Sequence, residues 1–447
     1  MTRALTRTAA GASAPWPVRT VHLGLGNFFR AHQAWYSNGS GEAPGIAAFT
    51  GRRPDAARAL TAQEGVYSLI VRDGGGDHVQ RIDSISAAID GADVPALQGF
   101  LCDPNVVAVT LTITEAGYRR GANGIDANDP AIADDIATLR AGGTDVRTAP
   151  ARLVSGLLAR RRADAGPIAV VPCDNLTGNG AATASVIISL AELIDADAAA
   201  WMDESVSFVS TMVDRITPHT TDDDIATVRA LTGFDDAAPV VTEPFTEWVL
   251  ADRFPAGRPA WDRAGARFVA DVAPFELRKL WLLNGAHSTL AYAGLGRGIA
   301  TVADAVADTE CGALMNDWWD AAASHLPLPA GEITAYREAL TQRFENPRMR
   351  HQLTQIAGDG SQKLPERVVP VLRLERSAGR LPHSAAAALA GWVRYLRAGS
   401  VNDPQAHELR SLAGRPDADA VPRLLGFLAN DLADDHELVQ SVRTALV

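Results

Sequence analysis

The chain has 447 residues, long enough to bury a large core and to form two or three domains. Hydrophobic residues make up 47% and charged residues 21%, as in soluble globular proteins, and no apolar run approaches the ~20 residues of a membrane helix. A formal net charge of −12 without a long basic run argues against a nucleic-acid partner.

The cysteines and the first residues of the chain give two further expectations. Cys102, Cys173 and Cys311 are odd in number and far apart, which predicts reduced thiols, a cytoplasmic location and no zinc site. Residues 1–17 contain no acid and many Ala and Thr, as a transit peptide would, but they lack an apolar signal core. We predict that residues 1–17 form a disordered extension.

The first predicted strand, residues 18–23, leads directly into Gly24-Leu25-Gly26 and a helix. A strand, a Gly-x-Gly turn and a helix are how many proteins hold a dinucleotide pyrophosphate, because glycine allows close backbone approach and the helix N-terminus offers free amides. Phe29 stands at the position of the usual third glycine. The bare pattern is therefore also compatible with ordinary turn chemistry.

Short apolar runs and helical segments then alternate, which predicts a parallel sheet covered by helices. The predicted strands are residues 46–50, 106–112, 168–173 and 206–212, and the predicted helices are 130–140, 151–162 and about 180–194. Glu115, Asn175 and Asp214 follow the carboxyl ends of three of these strands. Open α/β sheets bind their ligands at that edge.

Beyond about residue 271 the pattern predicts helices only. They are expected at about 274–293, 301–323, 331–345, 349–357, 364–379, 383–398, 403–413 and 435–446, separated by Gly and Pro breakers. We therefore predict two domains, residues 18–270 and 271–447, packed closely with a cleft between them.

The helix predicted at 274–293 carries four polar residues: Glu276, Lys279, Asn284 and His287. At about 100° per residue they fall within about 140° of one another, beside an apolar face. Taken alone, such a face is typical of a solvated helix surface.

Several blocks, in order from about residue 18 to 370, together resemble the polyol-specific long-chain dehydrogenases, the family of mannitol dehydrogenases and hexuronate (fructuronate or mannonate) oxidoreductases. The blocks are His22-Leu23-Gly24-Leu25-Gly26-Asn27-Phe28-Phe29-Arg30-Ala31-His32, Thr112-Ile113-Thr114-Glu115, Cys173-Asp174-Asn175-Leu176, Met212-Val213-Asp214-Arg215-Ile216-Thr217-Pro218, Glu243-Pro244-Phe245, Ala256-Gly257-Arg258-Pro259 and the Lys279-x4-Asn284-x2-His287 run.

The resemblance implies a fold and a reaction. The fold is an α/β Rossmann-type N-terminal domain followed by a mostly α-helical C-terminal domain. The reaction is metal-independent hydride transfer between a nicotinamide and a secondary alcohol or ketone. Phe29 belongs to this family's own loop, so it does not count against dinucleotide binding.

The same resemblance implies catalytic roles. Lys279 would be the acid/base, with a pKa lowered by desolvation and by the positive nicotinamide ring. Asn175 and Asn284 would donate amide hydrogen bonds to the reacting oxygen, and His287 would orient it. Glu276 could pass protons between lysine and water. Each of three residues has a competing interpretation. Asn175 could be a helix cap, His287 could be structural, and Glu276 could be an exposed carboxylate.

The cofactor-binding residues implied by the motifs are Gly24, Gly26, Asn27, Phe28, Arg30, Arg52 and Glu115. An acid after the second strand favours NAD and an arginine favours NADP. Gly51-Arg52-Arg53-Pro54-Asp55 contains both kinds of residue. The resemblance implies NAD, so NAD is expected with NADP as the alternative.

Two residues are assigned to the substrate. Asp214 would hold the lysine or a substrate hydroxyl, unless it is a structural partner of Arg215. Lys363, in a segment that resembles the hexuronate-reducing branch, suits a polyhydroxy chain or a carboxylate.

We expect a small sugar acid or polyol, D-fructuronate/D-mannonate first, with mannitol/fructose or arabinitol as alternatives. The protein would be a monomer or a small homo-oligomer, with neither nucleic acid nor membrane as a partner. A nucleotide-binding regulator without catalysis is the alternative from another class. The intact set of Lys279, Asn284, His287 and Asn175 argues against it.

Overall fold

The structure, a computed structural model, describes residues 3–41 and 45–446. The chain divides into two compact units, Met1–Val272 and Ala273–Val447, and each is described here by itself. The first unit is α/β and the second is helical, which confirms the predicted fold class.

The strands and helices of the first unit alternate along the chain. Its strands are β1 (Arg3–Ala4), β2 (Val18–Leu23), β3 (Gly45–Phe49), β4 (Tyr67–Arg72), β5 (Asp77–Ile82), β6 (Ile85–Ile89), β7 (Ala108–Leu111), β8 (Arg120–Gly121), β9 (Gly124–Ile125), β10 (Ile168–Pro172), β11 (Val206–Phe208), β12 (Thr211–Asp214), β13 (Phe234–Asp235), β14 (Val240–Thr242), β15 (Glu247–Ala251) and β16 (Arg267–Val269). Its helices are α1 (Asn27–Ala31), α2 (Gln33–Gly39), α3 (Asp55–Ala62), α4 (Val94–Leu101), α5 (Pro130–Arg140), α6 (Ala149–Arg162), α7 (Asn179–Glu192), α8 (Ala196–Ser205) and α9 (Asp222–Thr232), with 3₁₀ turns at Glu115–Tyr118 and Trp261–Ala264.

A six-stranded parallel sheet is the frame of this unit. Its strand order is β11-β10-β7-β2-β3-β6, so β2 lies in the middle between β7 and β3. Successive residues of β3 face opposite layers: Ala47 and Phe49 pack with α4 to α8, whereas Ile46 and Ala48 pack with α1 to α3 and β4. Parallel sheets need helices on both faces, and this one has them.

The local sequence explains where several helices begin. Asp129 caps α5 through Ala131 N–H and is followed by Pro130, and Thr148 caps α6 with Pro150 in its first turn. Thr221 and Asp224 form a capping box at the start of α9. A short polar acceptor before a helix satisfies an amide that has no intrahelical partner.

The predicted disorder of residues 1–17 is wrong for the residues that the structure describes. Strand β1 pairs in parallel with β13. Arg7 is only 4% exposed, and its guanidinium donates to the carbonyls of Glu64, Ser13, Asp83 and Ile85. A buried arginine is stable where carbonyl oxygens satisfy its donors, and all of these acceptors except Ser13 lie 57 or more residues along the chain.

The predicted strand at 206–212 is two strands in different sheets. The first part, β11, is an edge of the main sheet, whereas β12 pairs with β15 in the sheet β12-β15-β16. The strands β4 and β5, with β14, form a further three-stranded sheet that the sequence pattern did not indicate.

The second unit is a bundle of helices. Its helices are α10 (Ala273–Arg278), a π-helix (Lys279–Gly285, called the π segment below), α11 (Ala286–Gly296), α12 (Val302–Ala307), α13 (Thr309–Ala323), α14 (Ala330–Phe344), α15 (Leu353–Ala357), α16 (Gly360–Arg367), α17 (Val369–Ser377), α18 (His383–Arg397), α19 (Ala406–Ala413), α20 (Asp417–Leu428), α21 (Asn430–Ala433) and α22 (His436–Leu446), with a 3₁₀ turn at Pro347–Met349. Helix α20 was not predicted. None of the described helices is long and apolar enough to cross a membrane.

Helix α11 lies at the centre of this unit. Eight of its eleven residues are buried, and it packs against α13, α15 and α18. Gly391 on α18 allows that approach, since a Cβ there would lie 2.6 Å from the carbonyl oxygen of Tyr292. A helix buried on all sides is held rigidly by its neighbours. The π segment runs directly into α11, so its C-terminal end is fixed in place.

Candidate active site

The turn after β2 is built around two glycines with different requirements. Gly24 has φ +113°, and a Cβ on it would lie 2.2 Å from the carbonyl oxygen of Thr112, so no side chain fits. At Gly26 a Cβ would meet only the carbonyl oxygen of Gly24, at 3.5 Å, which leaves open space beside the first turn of α1. The turn therefore presents backbone amides and room for a dinucleotide pyrophosphate.

A buried histidine ties this turn to β7. His22 contacts the hydroxyls of Thr110, at 2.8 Å from Nδ1, and Thr112, at 3.0 Å from Nε2, and it stacks on Phe29. The Thr112 hydroxyl donates to the Gly24 carbonyl, so it must accept from Nε2, which fixes the tautomer. Burial lowers the pKa of His22 to about 3, so the ring is neutral and acts as a structural tether.

Arg30, predicted to bind the cofactor, is buried and hydrogen-bonded to its own chain. It is 6% exposed, and its guanidinium donates to the Gly26 carbonyl, the Ala238 carbonyl and the Asn27 side-chain oxygen. Burial lowers its pKa. Arg30 thus supports the Gly26–Asn27 turn, and a contact between Arg30 and the cofactor stays a prediction. Phe28 is half-buried and stacks on His32.

The other predicted residues of this unit lie at strand ends. Arg52, Arg53 and Asp55 are exposed after β3, whose last residue, Phe49, accepts from the amide of Gly24. Glu115 is exposed after β7, and Asn175 is exposed after β10. The neighbouring order β10-β7-β2-β3 therefore brings these positions to the same edge as the glycine turn.

Asp174, which was not assigned a role from sequence, has the most unusual setting at this edge. Its Oδ2 accepts a hydrogen bond from the hydroxyl of Tyr118, and its Oδ1 is buried without a partner among the described residues. Burial raises the pKa of Asp174 to about 6 and also raises that of Tyr118. The sequence signal was its place beside Asn175 after a strand.

Asn179 fixes the loop that carries Asp174 and Asn175. Its buried amide donates to the carbonyls of Pro172 and Thr211 and accepts from the amide of Thr211. These bonds join the end of β10 to the start of β12. The loop is thereby anchored at both strands.

Asp214 lies at the carboxyl end of β12 and is 6% exposed. Its neighbour Arg215 donates to the carbonyls of Ala31 and Glu243 and stacks over Trp35. Burial lowers the pKa of Arg215 to about 10. The contacts that hold Arg215 are carbonyls and an aromatic ring, so they give no support to the alternative in which Asp214 is its structural partner.

In the second unit the predicted catalytic residues lie on and beside the π segment. Lys279 and Asn284 are both half-buried, while Trp281, Leu282, Leu283 and Gly285 are buried. In an α-helix the side chains of residues five apart point in directions that differ by about 140° around the helix axis. In a π-helix the i→i+5 hydrogen bond makes them one turn apart. The single α-helix predicted at 274–293 is therefore wrong, and the π segment aligns Lys279 and Asn284 more closely.

Hydrogen bonds from two side chains stabilise the π segment. The indole N–H of Trp318 donates to the Trp281 carbonyl at 2.7 Å, and that of Trp319 donates to the Leu282 carbonyl at 2.8 Å. A Cβ on Gly285 would lie 2.6 Å from Trp318, so glycine allows the indole to approach. These two tryptophans of α13, like Asp174, were not recognised from sequence.

His287 is buried beside Phe344 and His351, with ring centroids 4.6 Å and 5.0 Å away. Its Nε2 has no partner among the described residues. Burial, and then the charges of His351, Arg343 and Arg367, lower its pKa well below the usual value, so the ring is neutral. A buried, unpartnered ring nitrogen suits a substrate hydroxyl or carbonyl. Glu276 is half-buried on α10, one turn before Lys279.

Lys363, predicted to bind substrate, is engaged within α16 and its preceding loop. Its ammonium donates to the carbonyls of Gly358, at 2.6 Å, and Ile356, at 3.4 Å, and lies 3.5 Å from the Asp359 carboxylate. Burial lowers its pKa. These contacts engage its donors and tie α16 to the loop before it, and substrate binding by Lys363 stays a prediction.

The six-stranded parallel sheet, the glycine turn at its central strand and the lysine-bearing helical unit define a two-domain dehydrogenase of the Rossmann type. Residues 18–263 match the family model of the mannitol dehydrogenase Rossmann domain, and residues 271–447 match that of the mannitol dehydrogenase C-terminal domain. The chain therefore belongs to the mannitol dehydrogenase family, oxidoreductases acting on CH–OH groups of polyols or sugar acids. This confirms the predicted family.

Three similar proteins illustrate its range. The D-mannonate oxidoreductase of Escherichia coli (strain K12) is 36% identical over 456 residues, covering 96% of this chain and 92% of the relative. The D-arabinitol 4-dehydrogenase of Ralstonia nicotianae is 36% identical over 448 residues, covering 95% and 94%. The solved ternary complex of Pseudomonas fluorescens mannitol 2-dehydrogenase with NAD and D-mannitol is 32% identical, with a TM-score of 0.79, covering 96% and 91%.

Proposed function

We propose that this protein catalyses the NAD-dependent interconversion of D-fructuronate and D-mannonate, a ketone and a secondary alcohol derived from a sugar acid. The observation that carries the chemistry is the alignment of Lys279 and Asn284 on the π segment, beside His287 with its unpartnered Nε2. The likeness to a D-mannonate oxidoreductase over nearly the whole chain supports the substrate.

Lys279 is the acid/base in this proposal. In the reduction direction its ammonium gives a proton to the carbonyl oxygen, which becomes the new hydroxyl as the carbon accepts hydride. In the oxidation direction the neutral amine removes the hydroxyl proton. Bound NADH or NAD⁺ supplies or accepts the hydride at C4 of its nicotinamide. General acid/base catalysis of this kind contributes about 10²- to 10⁴-fold.

Amides and the imidazole orient the reacting oxygen. Asn284 donates to it from one π turn after Lys279, and we assign the same role to Asn175. His287, neutral and buried, hydrogen-bonds a hydroxyl or the carbonyl oxygen through Nε2. Glu276 exchanges protons between Lys279 and solvent, and Asp214 binds the lysine or a substrate hydroxyl.

The glycine turn is the proposed pyrophosphate site. The open space at Gly26 and the amides of Asn27 and Phe28 fit a diphosphate. Glu115 lines the same edge of the sheet. NAD is favoured because the Pseudomonas fluorescens relative was solved with NAD, while exposed Arg52 and Arg53 keep NADP as the alternative for this chain.

Mannitol/fructose is the second candidate substrate pair. The solved mannitol 2-dehydrogenase complex covers nearly the whole chain, and the arabinitol relative is as similar as the mannonate relative. The proposed catalytic groups act on a CH–OH or C=O carbon and do not distinguish what stands at the far end of the substrate. Substrate choice therefore depends on residues outside the Lys279–Asn284 pair.

A spectrophotometric panel tests the proposal. Nicotinamide absorbance is followed with fructuronate, tagaturonate, fructose, mannitol and arabinitol, each with the NAD and NADP couples. We expect the highest kcat/KM for fructuronate with NADH. Strong turnover of mannitol with none of fructuronate would contradict the substrate, and a preference for NADPH would contradict the cofactor.

A further inference from the structure

Arg367, the last residue of α16, is a half-buried cation without a hydrogen bond or ion pair in the parts of the chain that the structure describes. It lies one helical turn after Lys363, whose ammonium is fully engaged. Neighbouring cations on the same helix thus differ: Lys363 stabilises the loop before α16, whereas the guanidinium of Arg367 keeps its donors.

Neither of the two acidic residues that act on the charge of Arg367 forms an ion pair with it. Asp359 and Glu366 both act on its charge, but Asp359 is paired with Lys363 at 3.5 Å, and Glu366 is exposed. Burial is the largest influence on Arg367 and lowers its pKa. A partly buried guanidinium that has no protein acceptor favours an anionic ligand.

Arg367 belongs to the surroundings of the candidate catalytic residues. Helix α16 packs against the π segment that carries Lys279 and Asn284. The charge of Arg367 also reaches the ring of His287, together with Arg343 and His351. The charged groups that influence this imidazole are all bases, so this side of the helical unit favours an anion.

The planar fork of a guanidinium matches a carboxylate in two parallel hydrogen bonds, and a neutral hydroxymethyl group cannot use it in this way. We propose that Arg367 binds the carboxylate of a sugar-acid substrate whose reacting carbon lies against Lys279 and His287. This inference rests on the proposed function and names the residue that selects sugar acids over neutral polyols.

The test compares Arg367→Gln and Arg367→Lys with the wild-type enzyme in NADH-dependent reduction of D-fructuronate and of D-fructose. These ketones have a carboxylate and a hydroxymethyl group, respectively, at the far end. In Arg367→Gln we expect kcat/KM for fructuronate to fall about 10- to 100-fold, mainly through KM. In Arg367→Lys, which keeps the charge but not the planar guanidinium, kcat/KM for fructuronate should fall less. In each variant the ratio of kcat/KM for fructuronate to that for fructose should fall by a factor similar to the fall in kcat/KM for fructuronate.

Arg373→Gln is the matched control, because Arg373 on α17 is exposed and pairs with Asp431 at the surface. Thermal unfolding and the Kd of NADH, measured for each variant, identify any loss caused by misfolding. An Arg367→Gln enzyme with wild-type KM for fructuronate, or with a loss confined to kcat, would overturn the role of Arg367 and leave the proposed function standing. A wild-type enzyme that reduces fructose and not fructuronate would overturn both.

Discussion

Gly24 and Gly26 lie two residues apart in one turn but differ in what a side chain would meet. At Gly24 a Cβ would overlap the carbonyl of Thr112 at 2.2 Å, in a backbone conformation with φ +113°. At Gly26, φ is −128° and ψ −173°, which alanine adopts freely, and the space beside it is open. The first glycine is required by the fold, and the second by the proposed ligand.

Alanine at Gly26 should therefore separate binding from folding. We expect Gly26→Ala to unfold like the wild type but to bind NADH about tenfold or more weakly, because the methyl group occupies the proposed pyrophosphate space. Gly24→Ala is the contrasting variant and should lower the denaturation midpoint. Fluorescence titration with NADH measures the first effect. An unchanged Kd in Gly26→Ala would contradict the placement of the pyrophosphate.

Asp174 predicts a pH dependence with a definite sign. Its pKa in the folded protein is about 6, above the ordinary value of 3.8, because burial disfavours the carboxylate. Between these two values the folded state binds the proton that the unfolded state has lost. The free energy of unfolding contributed by this group is therefore full below pH ~3.8 and lost as pH rises to ~6.

Asp174→Asn should remove that dependence. Relative to the wild type, we expect the variant to gain about 1–2 kcal/mol between pH 4 and pH 7, because its side chain never ionises. Urea denaturation midpoints at several pH values measure the difference. A wild type and variant whose midpoints differ equally at pH 4 and pH 7 would show that Asp174 does not titrate in this window.

How much the sequence indicates about a residue's contacts depends on where its partners lie in the chain. Gly24 could be recognised because its constraint comes from the adjoining strand–helix turn. Arg30 could not be placed, since its partner carbonyl on Ala238 is 208 residues away. Lys363 was assigned from its charge, although three acceptors just before α16 use its donors.

At the scale of elements, the π segment is the feature that sequence periodicity could not reveal. Apolar residues there are compatible with an α-helix, and the wider turn depends on indole donors from α13, 37 residues away. π-Helical turns occur often at functional sites. Here the turn aligns Lys279 with Asn284, so we expect the indoles to affect catalysis from a distance.

Phenylalanine at Trp318 or Trp319 tests this dependence. Each change removes one N–H donor to a carbonyl of the π segment, at a cost of about 1–3 kcal/mol. We expect kcat to fall while the Kd of NADH stays unchanged. Trp392→Phe is the matched control, since Trp392 is equally buried in this unit but its indole N–H has no partner among the described residues. Equal kcat values in all three variants would contradict the positioning role.

Elements with a strong local pattern were predicted well, and those that depend on distant pairing were not. The helix predicted at 130–140 is α5 with the same bounds, and the buried strand β10 ends within one residue of its prediction. Strand β5, with mixed polar composition and alternating partial burial, gives no clear period. The short β1 exists only because β13 lies beside it.

At the scale of the whole molecule, the use of lysine is informative. Of 41 lysine and arginine residues, only Lys279 and Lys363 are lysines. Arginine supplies nearly every surface cation, yet it cannot exchange a proton near neutral pH. Lysine at position 279 therefore fits a proton-transfer role, whereas Lys363 serves the α16 loop.

The fold class followed from the change in pattern near residue 271, where strands give way to helices. The family was indicated by the order of several motifs along the chain, and no single helix or strand would have indicated it. Substrate choice did not follow, because relatives of nearly equal identity to this chain are named for different substrates: D-mannonate, D-arabinitol and D-mannitol. It depends on side chains such as Arg367, whose surroundings only the folded unit defines.

The central claim is that Lys279 transfers the proton, and the most direct measurement is kcat for ketone reduction by Lys279→Met together with its Kd for NADH. We expect kcat to fall about 10²- to 10⁴-fold while NADH binding is retained, because the glycine turn is untouched. A Lys279→Met enzyme that reduces the ketone at the wild-type rate would contradict the account.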